Sequence, residues 1–438
     1  MAAVEHSDGS ARGAWRAWLV VVLLFFFMFI NYADKSVLGL AGPRIMQDLQ
    51  LTNAQFGYVN SSFFLLFALS SIIFGFTANR MSSRWLLLGM GLAWAATQFP
   101  MAGSAGIGTL VTCRILLGAS EGPGYPVALH ATYKWFADTK RTLPTNLLVL
   151  GAGIGTAAAG QILPFIIVRW SWHAAFLTVG LAGLAWSLAW LLFGREGKLE
   201  GATERGPAPT EAIAYRHLLL NRTVLGVFLV CFTAYWAIAV GLAWGTLYMV
   251  KVVGLSLIEA GRISTWPTLL SIVIGPLIAF ASQRLAQRGV SSRLCRGAFG
   301  CAGVVLGAAG IAGMALVPDT NAKIACYTFA ASIMFVIYTV GPPIIAEITP
   351  PRQRAAMLAI NNAGYSTAGI LAPSIMGWVL DAAPDAATGY RNGYLLLATL
   401  LVVSGVVGYL MINPARDAAR LAARSARADA LPRLSLAE

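Results

Sequence analysis

The sequence predicts an all-α membrane protein in which twelve transmembrane helices form two pseudo-symmetric six-helix bundles. Of the 438 residues, 58% are hydrophobic and only 11% are charged, whereas about a quarter of the residues in a soluble domain are charged. Twelve apolar segments are long enough to cross a bilayer, six before and six after a polar interval. These segments are 16–40, 53–77, 84–105, 107–130, 143–167, 172–194, 222–249, 262–284, 294–317, 322–347, 354–380 and 391–412.

The polar interval divides the chain into four predicted parts. Residues 1–194 form the N-terminal six-helix bundle, and residues 222–413 form the C-terminal one. Residues 195–221 are rich in charges and contain Pro207 and Pro209, so this segment cannot span a bilayer and is predicted to be a cytoplasmic linker. The Ala- and Arg-rich residues 414–438 are predicted to be a cytoplasmic tail.

Two short repeats relate the halves of the chain. Residues 76–81 (FTANRM) are similar to residues 280–285 (FASQRL), and residues 152–157 (AGIGTA) are similar to residues 363–368 (AGYSTA). Both repeats are separated by about two hundred residues and have the same topology in each half. Parallel repeats of this kind predict a solute site near the middle of the membrane, where the halves meet.

The formal net charge of +13 reflects topology rather than a nucleic-acid partner. With the N-terminus placed inside, the inner loops and tails hold most of the 31 Lys and Arg residues. Only six lie in loops of the other side: Arg44, Arg169, Lys251, Arg262, Lys323 and Arg391. This asymmetry predicts a multi-pass protein of the inner (plasma) membrane with both termini cytoplasmic. We expect a functional monomer surrounded by membrane lipid, with no nucleic-acid partner.

Four ionisable residues interrupt apolar segments. Asp34 and Lys35 lie in the first predicted span, and Arg114 and Glu121 lie in the fourth predicted span. A charge near the centre of a membrane helix costs roughly 2.5–3.5 kcal/mol on insertion scales. The default interpretation is a buried polar pathway for an ion and a charged solute.

Arg114 and Glu121 are predicted to share one helical face with Gly118. Their spacing of four and then three residues places all three on that face, and Gly118 leaves room for a neighbouring helix. The arginine remains charged and requires an anionic partner in a low dielectric. Two roles stay open: a permanent salt-bridge network that fixes the helices, or acids that change partners and carry protons.

Asp34 and Lys35 are adjacent and therefore point about 100° apart on a helix. One of them can face Arg114 and Glu121 while the other faces the central cavity. Lys35 is predicted to contact a bound anion, and the alternative is that its ammonium group snorkels to the outer interface.

Weaker signals come from polar residues within other spans. Each can hydrogen-bond a solute, and each can instead form an interhelical hydrogen bond. They are Asn31, Tyr32, Gln161, Tyr235, Tyr338, Asn361 and Asn362. Gly122 and Pro123 are predicted to bend the fourth span, and Glu347 is predicted to form a charged cluster with Arg352 and Arg354.

These motifs resemble the major facilitator superfamily over nearly the whole chain. Residues 75–80 followed by Arg84 are similar to its loop between the second and third spans, and Arg114-x-x-x-Gly118 to its fourth-span motif. More narrowly the chain resembles the anion:cation symporter family, which includes the D-galactonate and other sugar-acid importers, sialin and vesicular glutamate transporters. The segments that carry this match are 31–35, 114–121, Trp135-Phe136, Trp172-His173 and 362–373.

The resemblance implies the major facilitator fold and proton-coupled import of an organic anion by alternating access, with protons as the coupling ion and no cofactor. Asp34 and Glu121 would be the proton-linked acids. Arg114 would be the partner that these acids exchange, and it would also bind the substrate. Tyr32 and Asn362 would contact the substrate.

Three positions depart from the family's pattern. Asn79 replaces the acid of the loop motif, and Lys35 replaces the usual arginine, so a carboxylate cannot be gripped bidentately there. Phe67 stands where sugar-acid importers tend to have tyrosine. A less hydroxylated or aromatic carboxylate is therefore a further candidate for the solute.

The sequence also leaves functions other than import open. An exporter of an anionic or amphipathic compound can use the same fold, and a solute sensor would bind without accumulating its ligand. An enzyme is disfavoured because the sequence has no nucleophile–base motif. The five cysteines have no metal-like spacing, so no metal ligand and no catalytic residue is predicted.

Overall fold

The structure is a computed structural model. It describes residues 2–77, 81–103, 106–136, 140–197, 213–350, 353–421 and 423, with the backbone alone for 2–13, 75–77, 142 and 355.

The described residues form the sixteen α-helices named below, a further helical stretch at 414–421 and one π-helical turn, Arg293–Ala298, and they contain no strand. The helices of the first half are α1 (Ala2–Asp48), α2 (Asn53–Thr77), α3 (Ser83–Ala102), α4 (Ile107–Glu121), α5 (Gly124–Tyr133), α6 (Thr142–Arg169) and α7 (Trp172–Phe193). The remaining helices are α8 (Tyr215–Leu219), α9 (Arg222–Lys251), α10 (Leu257–Gln287), α11 (Phe299–Leu316), α12 (Thr320–Ile333), α13 (Val336–Ile348), α14 (Arg354–Ser366), α15 (Ala368–Asp381) and α16 (Ala386–Met411).

These helices make twelve rods that coincide with the twelve predicted spans. Three rods are broken, namely α4–α5, α12–α13 and α14–α15, and α8 is too short to span. The break between α4 and α5 lies at Gly122 and Pro123, where the sequence predicts a bend. Within the described part of the chain, nine helical segments are long and apolar enough to cross a membrane by length and composition.

The chain divides into two compact units. Unit 1 comprises Met1–Arg205, Leu242–Thr268 and Pro373–Asp381, and unit 2 comprises Gly206–Gly241, Leu269–Ala372 and Ala382–Glu438. These units group residues by contact, so the domain boundaries drawn from the sequence stay a prediction.

Each unit repeats one packing relation. In unit 1, α3 packs against α7, which is the sixth rod, and against α4, which is the first part of the fourth rod. In unit 2, α11 packs against α16 and α12, which hold the same places in the second set of six. This agreement supports the internal repeat inferred from the sequence.

Glycines allow distant segments to meet within unit 1. A Cβ added at Gly39 would collide with the carbonyl of Leu242, and one at Gly57 would collide with that of Pro373. Close helix crossings in membranes require small residues of this kind. They explain why parts of α9 and α15 belong to this unit.

Asp381, the last residue of α15, caps the N-terminus of α2. Its carboxylate accepts hydrogen bonds from the backbone N–H of Asn53 (3.1 Å) and Ala54 (2.8 Å), and from the Asn53 side-chain amide (2.8 Å). The first N–H groups of a helix lack partners within the helix, and they favour negative charge. The cap therefore ties α15 to α2.

A second carboxylate, that of Glu196, caps α3. It follows α7 and accepts hydrogen bonds from the Ser82 hydroxyl (2.7 Å), the Ser83 hydroxyl (3.1 Å) and the Arg84 backbone N–H (2.9 Å). Lys134, which follows α5, forms an ion pair with the same carboxylate. Partial burial alone would raise the pKa of Glu196, but these donors outweigh it and lower the pKa to about 2.

We predict that Glu196→Gln lowers the thermal unfolding midpoint of the purified protein at neutral pH, by about 2–4 °C. A carboxylate whose pKa is depressed on folding stabilises the protein fully above its ordinary value of 4.5. That contribution is lost as the pH falls towards about 2.

The midpoints of wild type and Glu196→Gln should therefore differ less at about pH 3.5 than at neutral pH. Asp319→Asn is the matched control, because asparagine also caps helices well and Asp319 caps α12. A difference between wild type and Glu196→Gln that is independent of pH would contradict this prediction.

Candidate functional site

Asp34, Arg114 and Glu121 lie together in the interior of unit 1. Asp34 belongs to α1 and the other two belong to α4, and each residue is only 1% exposed. The charge of Arg114 acts on both acids, and the carboxyl groups of Asp34 and Glu121 are close enough to interact with each other. The prediction that Arg114 and Glu121 share a buried face is confirmed.

Gln98 on α3 holds the carboxylate of Asp34. Its Nε2 donates to Oδ1 at 2.7 Å and to Oδ2 at 2.8 Å. Gln98 is itself 1% exposed, so these bonds lie in a dry environment where they are stronger than in water. Asp34 thus has a neutral donor as its nearest hydrogen-bond partner.

Lys35 turns towards Glu121. Its Nζ lies 3.7 Å from Glu121 Oε2 and donates to Asn31 Oδ1 at 2.8 Å. The same ammonium lies 4.3 Å from the ring centroid of Tyr32 and 5.3 Å from that of Phe67. The Lys35 side chain is 16% exposed and that of Glu121 is fully buried, so Lys35 is the member of this pair that solvent reaches.

The guanidinium of Arg114 stacks on an aromatic ring of α2. Its Cζ lies 4.6 Å from the ring centroid of Phe63, which is a favourable cation–π distance. The Nε and Nη1 atoms are buried without a hydrogen-bond partner in the described residues. Arg114 is therefore held by charge and by the ring, and it retains unused donors.

Two glycines of the fourth rod bring α2 against this cluster. A Cβ added at Gly118 would collide with the Phe63 carbonyl, and one at Gly122 would collide with that of Phe67. The predicted close approach at Gly118 is confirmed. It places Phe63 and Phe67 over the two cations.

Gln161 lies apart from the charged cluster. Its Nε2 donates to Thr265 Oγ1 at 3.1 Å, where α6 crosses α10. A Cβ at the neighbouring Gly160 would lie 2.6 Å from the carbonyl of Gly261. In this structure Gln161 forms an interhelical hydrogen bond, which was one of its two predicted roles.

A second polar cluster lies in unit 2. The ring of Tyr365 lies 5.5 Å from Tyr235 and 5.3 Å from Tyr338. Tyr365 donates to the side chain of Asn362, and Tyr338 donates to the carbonyl of Cys231 at 3.0 Å. Asn361 is buried, and its Oδ1 has no hydrogen-bond partner in the described part of the chain.

Sequence reasoning missed two residues of these clusters. Gln98 carries the same signal as Gln161, a polar side chain within an apolar segment, and could have been found. Tyr365 lies in the repeat 363–368 but was considered only as part of that motif. Its contacts with Tyr235, Tyr338 and Asn362 make it the centre of the second cluster.

Other predicted features lie elsewhere. Ala78, Asn79 and Arg80 of the loop motif, and Arg352, fall outside the described residues. Glu347 pairs with Arg296 at 3.1 Å.

The Nε of Arg354 donates to the carbonyls of Ala346 and Thr349. Since Arg352 lies outside the described residues, the charged cluster of Glu347, Arg352 and Arg354 stays a prediction. The side chain of Arg296, on the π-helical turn, reaches Glu347.

The arrangement in unit 1 is suited to exchanging charges and protons. Two acids and two bases share one buried space, and several of their polar atoms have no hydrogen-bond donor or acceptor opposite them. In the described residues, no group of three or more His, Cys, Asp or Glu side chains could hold a metal ion.

Comparison with known proteins identifies the family. The sequence model of the family described as Major Facilitator Superfamily matches residues 24–340 and 328–437 of this chain. The hexuronate transporter of Bacillus subtilis is 28% identical over 401 residues, which are 88% of this chain and 92% of that protein. A probable galactarate/D-glucarate transporter of Bacillus subtilis is 23% identical over 434 residues, which are 90% of this chain and 91% of that protein.

A solved structure shows the same fold. It is the crystal structure of a bacterial homologue of the human lysosomal transporter Spinster, in an inward-facing and unoccupied conformation, with a TM-score of 0.78 at 16% identity. The match covers 93% of this chain and 98% of that one. These similar proteins are membrane transporters and not enzymes, and the resemblance to sugar-acid importers is confirmed.

We predict that Gly118→Ala destabilises the protein by about 1–3 kcal/mol, which is the usual cost of overpacking a filled site. The added methyl group would meet the backbone of α2, which cannot move aside cheaply. Thermal unfolding of the purified variant measures the loss.

Gly108→Ala is the matched control on the same helix. A Cβ at Gly108 meets nothing within 4 Å, and alanine is the better helix former. Equal unfolding midpoints for the two variants would show that α2 and α4 do not depend on the glycine contact.

Proposed function

Because the chain belongs to the Major Facilitator Superfamily, we propose that it is a proton-coupled symporter that imports an organic anion by alternating access. The observation that carries the proposal is the buried cluster of Asp34, Glu121, Arg114 and Lys35. The relatives named as hexuronate and galactarate/D-glucarate transporters support a sugar acid or another carboxylate as the solute.

Charge balance supplies the coupling. With all four side chains ionised, the two acids cancel the two bases. One proton on Asp34 or Glu121 leaves an excess positive charge, and one bound carboxylate restores neutrality. An uncompensated charge in a dry interior opposes any rearrangement, so the transport step is favoured when proton and anion are bound together.

Lys35 is the proposed anion contact. It is the most accessible cation of the cluster, and the rings of Tyr32 and Phe67 confine its ammonium group. Arg114 is buried deeper and is the proposed switching partner of the two acids. Tyr32 and Asn31 belong to the same subsite, and Gln161 remains a proposed contact.

The aromatic and amide cluster of unit 2 is proposed as a set of solute contacts. Asn362 is exposed, and the unpaired Oδ1 of Asn361 can accept a hydrogen bond from a solute hydroxyl. Tyr235 and Tyr338 offer ring faces for apolar parts of the solute.

The proposed orientation places both termini in the cytoplasm of a cell whose inner membrane holds the protein. The excess of Lys and Arg in the inner loops supports it. Protons are the proposed coupling ion, with no other cofactor.

The direction and the solute class are tested with purified protein. Thermal-shift screening against hexuronates, aldarates, aromatic carboxylates and small carboxylates selects the probe, because a ligand stabilises the state that it binds. Uptake of that radiolabelled probe into liposomes with an imposed inward proton gradient then tests symport. Binding without accumulation would identify a sensor. Accumulation only when the imposed proton gradient is reversed, so that protons leave the liposomes as the solute enters, would identify an exporter.

We predict that Glu121→Gln abolishes proton-driven accumulation of the selected probe while counterflow exchange persists. The amide keeps the shape of the side chain but cannot take up or release the coupling proton. Full accumulation driven by a pH gradient in this variant would remove Glu121 from the coupling role.

Asp385→Asn is the control for this experiment. Asp385 is an exposed acid that caps α16, and asparagine is an equally good capping residue. Its accumulation and exchange should both match the wild type.

We predict that Lys35→Ala raises the KM for the probe by about tenfold or more, because a hydrogen bond to a charged group contributes roughly 1.5–3 kcal/mol. Initial uptake rates in liposomes measure the change. Lys323→Ala, in the first turn of α12, removes a lysine of unit 2 and is the control. An unchanged KM for Lys35→Ala would exclude Lys35 from anion binding.

A further inference from the structure

Gln98 is a buried side chain to which the comparisons and the sequence motifs give no role. It faces Asp34 from α3, and its Nε2 lies almost equally far from both carboxylate oxygens, at 2.7 and 2.8 Å. This symmetric arrangement suits an ionised carboxylate, since both oxygens then accept hydrogen bonds. The reverse orientation of the amide would place Oε1 against two oxygens of like partial charge.

The other end of the amide is unused. Gln98 Oε1 is buried and has no hydrogen-bond partner in the described residues. A buried acceptor left without a donor costs about 1–3 kcal/mol. Because Gln98 Oε1 lies next to a buried acid, this cost would be removed in a state of the protein in which the acid supplies a donor.

A protonated Asp34 provides that donor. When the proton binds at Oδ2, a rotation of the amide plane brings Oε1 to the new O–H group while Nε2 still donates to Oδ1. The side chain of glutamine then pairs with the carboxylic acid through two hydrogen bonds. One amide can in this way satisfy both protonation states of Asp34.

Packing against α7 holds the aliphatic part of the Gln98 side chain in place. On α7, a Cβ added at Gly180 would lie 2.9 Å from Gln98 Cβ, so the aliphatic part of Gln98 fits against that glycine. The charged groups that face Asp34 are Arg114 and Glu121 from α4 and Lys35 from α1 itself. Gln98, the partner from α3, is uncharged. It can change its hydrogen bonds when Asp34 takes up a proton without changing the net charge of the cluster.

We propose that Gln98 is a positioning residue that holds Asp34 in both of its protonation states and sets the pH at which Asp34 takes up a proton. The proposal rests on the proposed function only in assigning a use to that proton. The hydrogen bonds themselves belong to the folded chain, whatever solute it carries.

Infrared difference spectroscopy of the purified full-length protein tests the proposal without a solute. In a Glu121→Gln background, the cluster contains one acid, and the protonated-carboxyl band that disappears with Asp34→Asn belongs to Asp34. Gln98→Met keeps the length of the side chain but removes donor and acceptor. Both forms of Asp34 lose two hydrogen bonds, but those to the ionised carboxylate are charge-assisted and roughly twice as strong. The midpoint of the band should therefore move upward by about one pH unit.

Two further variants sharpen the test. Gln98→Asn keeps an amide that is one methylene too short to reach Asp34, so it should move the midpoint in the same direction, and it serves if Gln98→Met does not fold. Thr97→Val is the matched control on α3, because Thr97 is buried and donates only to the carbonyl of Trp94. Its midpoint should stay at the wild-type value.

An unchanged or lowered midpoint in folded Gln98→Met or Gln98→Asn protein would overturn the proposal. So would the absence of any titrating band assigned to Asp34. These outcomes are independent of the uptake assay. A failed uptake assay would argue against symport, whereas an unshifted band would argue only against the role of Gln98.

Discussion

The burial of two acids and an arginine in one dry space, beside the partly exposed Lys35, is the constraint on which unit 1 depends. None of Asp34, Glu121 or Arg114 is more than 1% exposed, so water contributes little to their stabilisation. Each charge must be compensated by another or by a ring or amide placed against it. The loss of one charge therefore changes the balance of all the others.

The glycines of the fourth rod serve this constraint. Gly118 and Gly122 admit the backbone of α2, and α2 in turn brings Phe63 to Arg114 and Phe67 to Lys35. An aromatic face attracts a cation without neutralising it. The rings therefore help to hold the two bases in place without cancelling their charges.

Much of the charged cluster could be predicted from the sequence, because its signals are local. The spacing of Arg114, Gly118 and Glu121 fixes a shared face, and the break at Gly122 and Pro123 follows from residue type. Contacts made by long flexible side chains between distant segments could not be predicted. The pairing of Glu347 depends on how far the Arg296 side chain reaches from the π-helical turn, which no local pattern encodes.

The two acids of the cluster have different partners, and this difference assigns them different places in the proposed symport. Glu121 faces Lys35, the base that solvent reaches, and neither of its oxygens receives a hydrogen bond in the described residues. A solute carboxylate at Lys35 would compete with Glu121 for the same cation. Glu121 would then have lost one counter-charge, and a proton would restore the balance. Asp34, held by a neutral amide, would lose no partner in that exchange. Anion and proton would thus each favour the binding of the other, as reciprocal coupling requires.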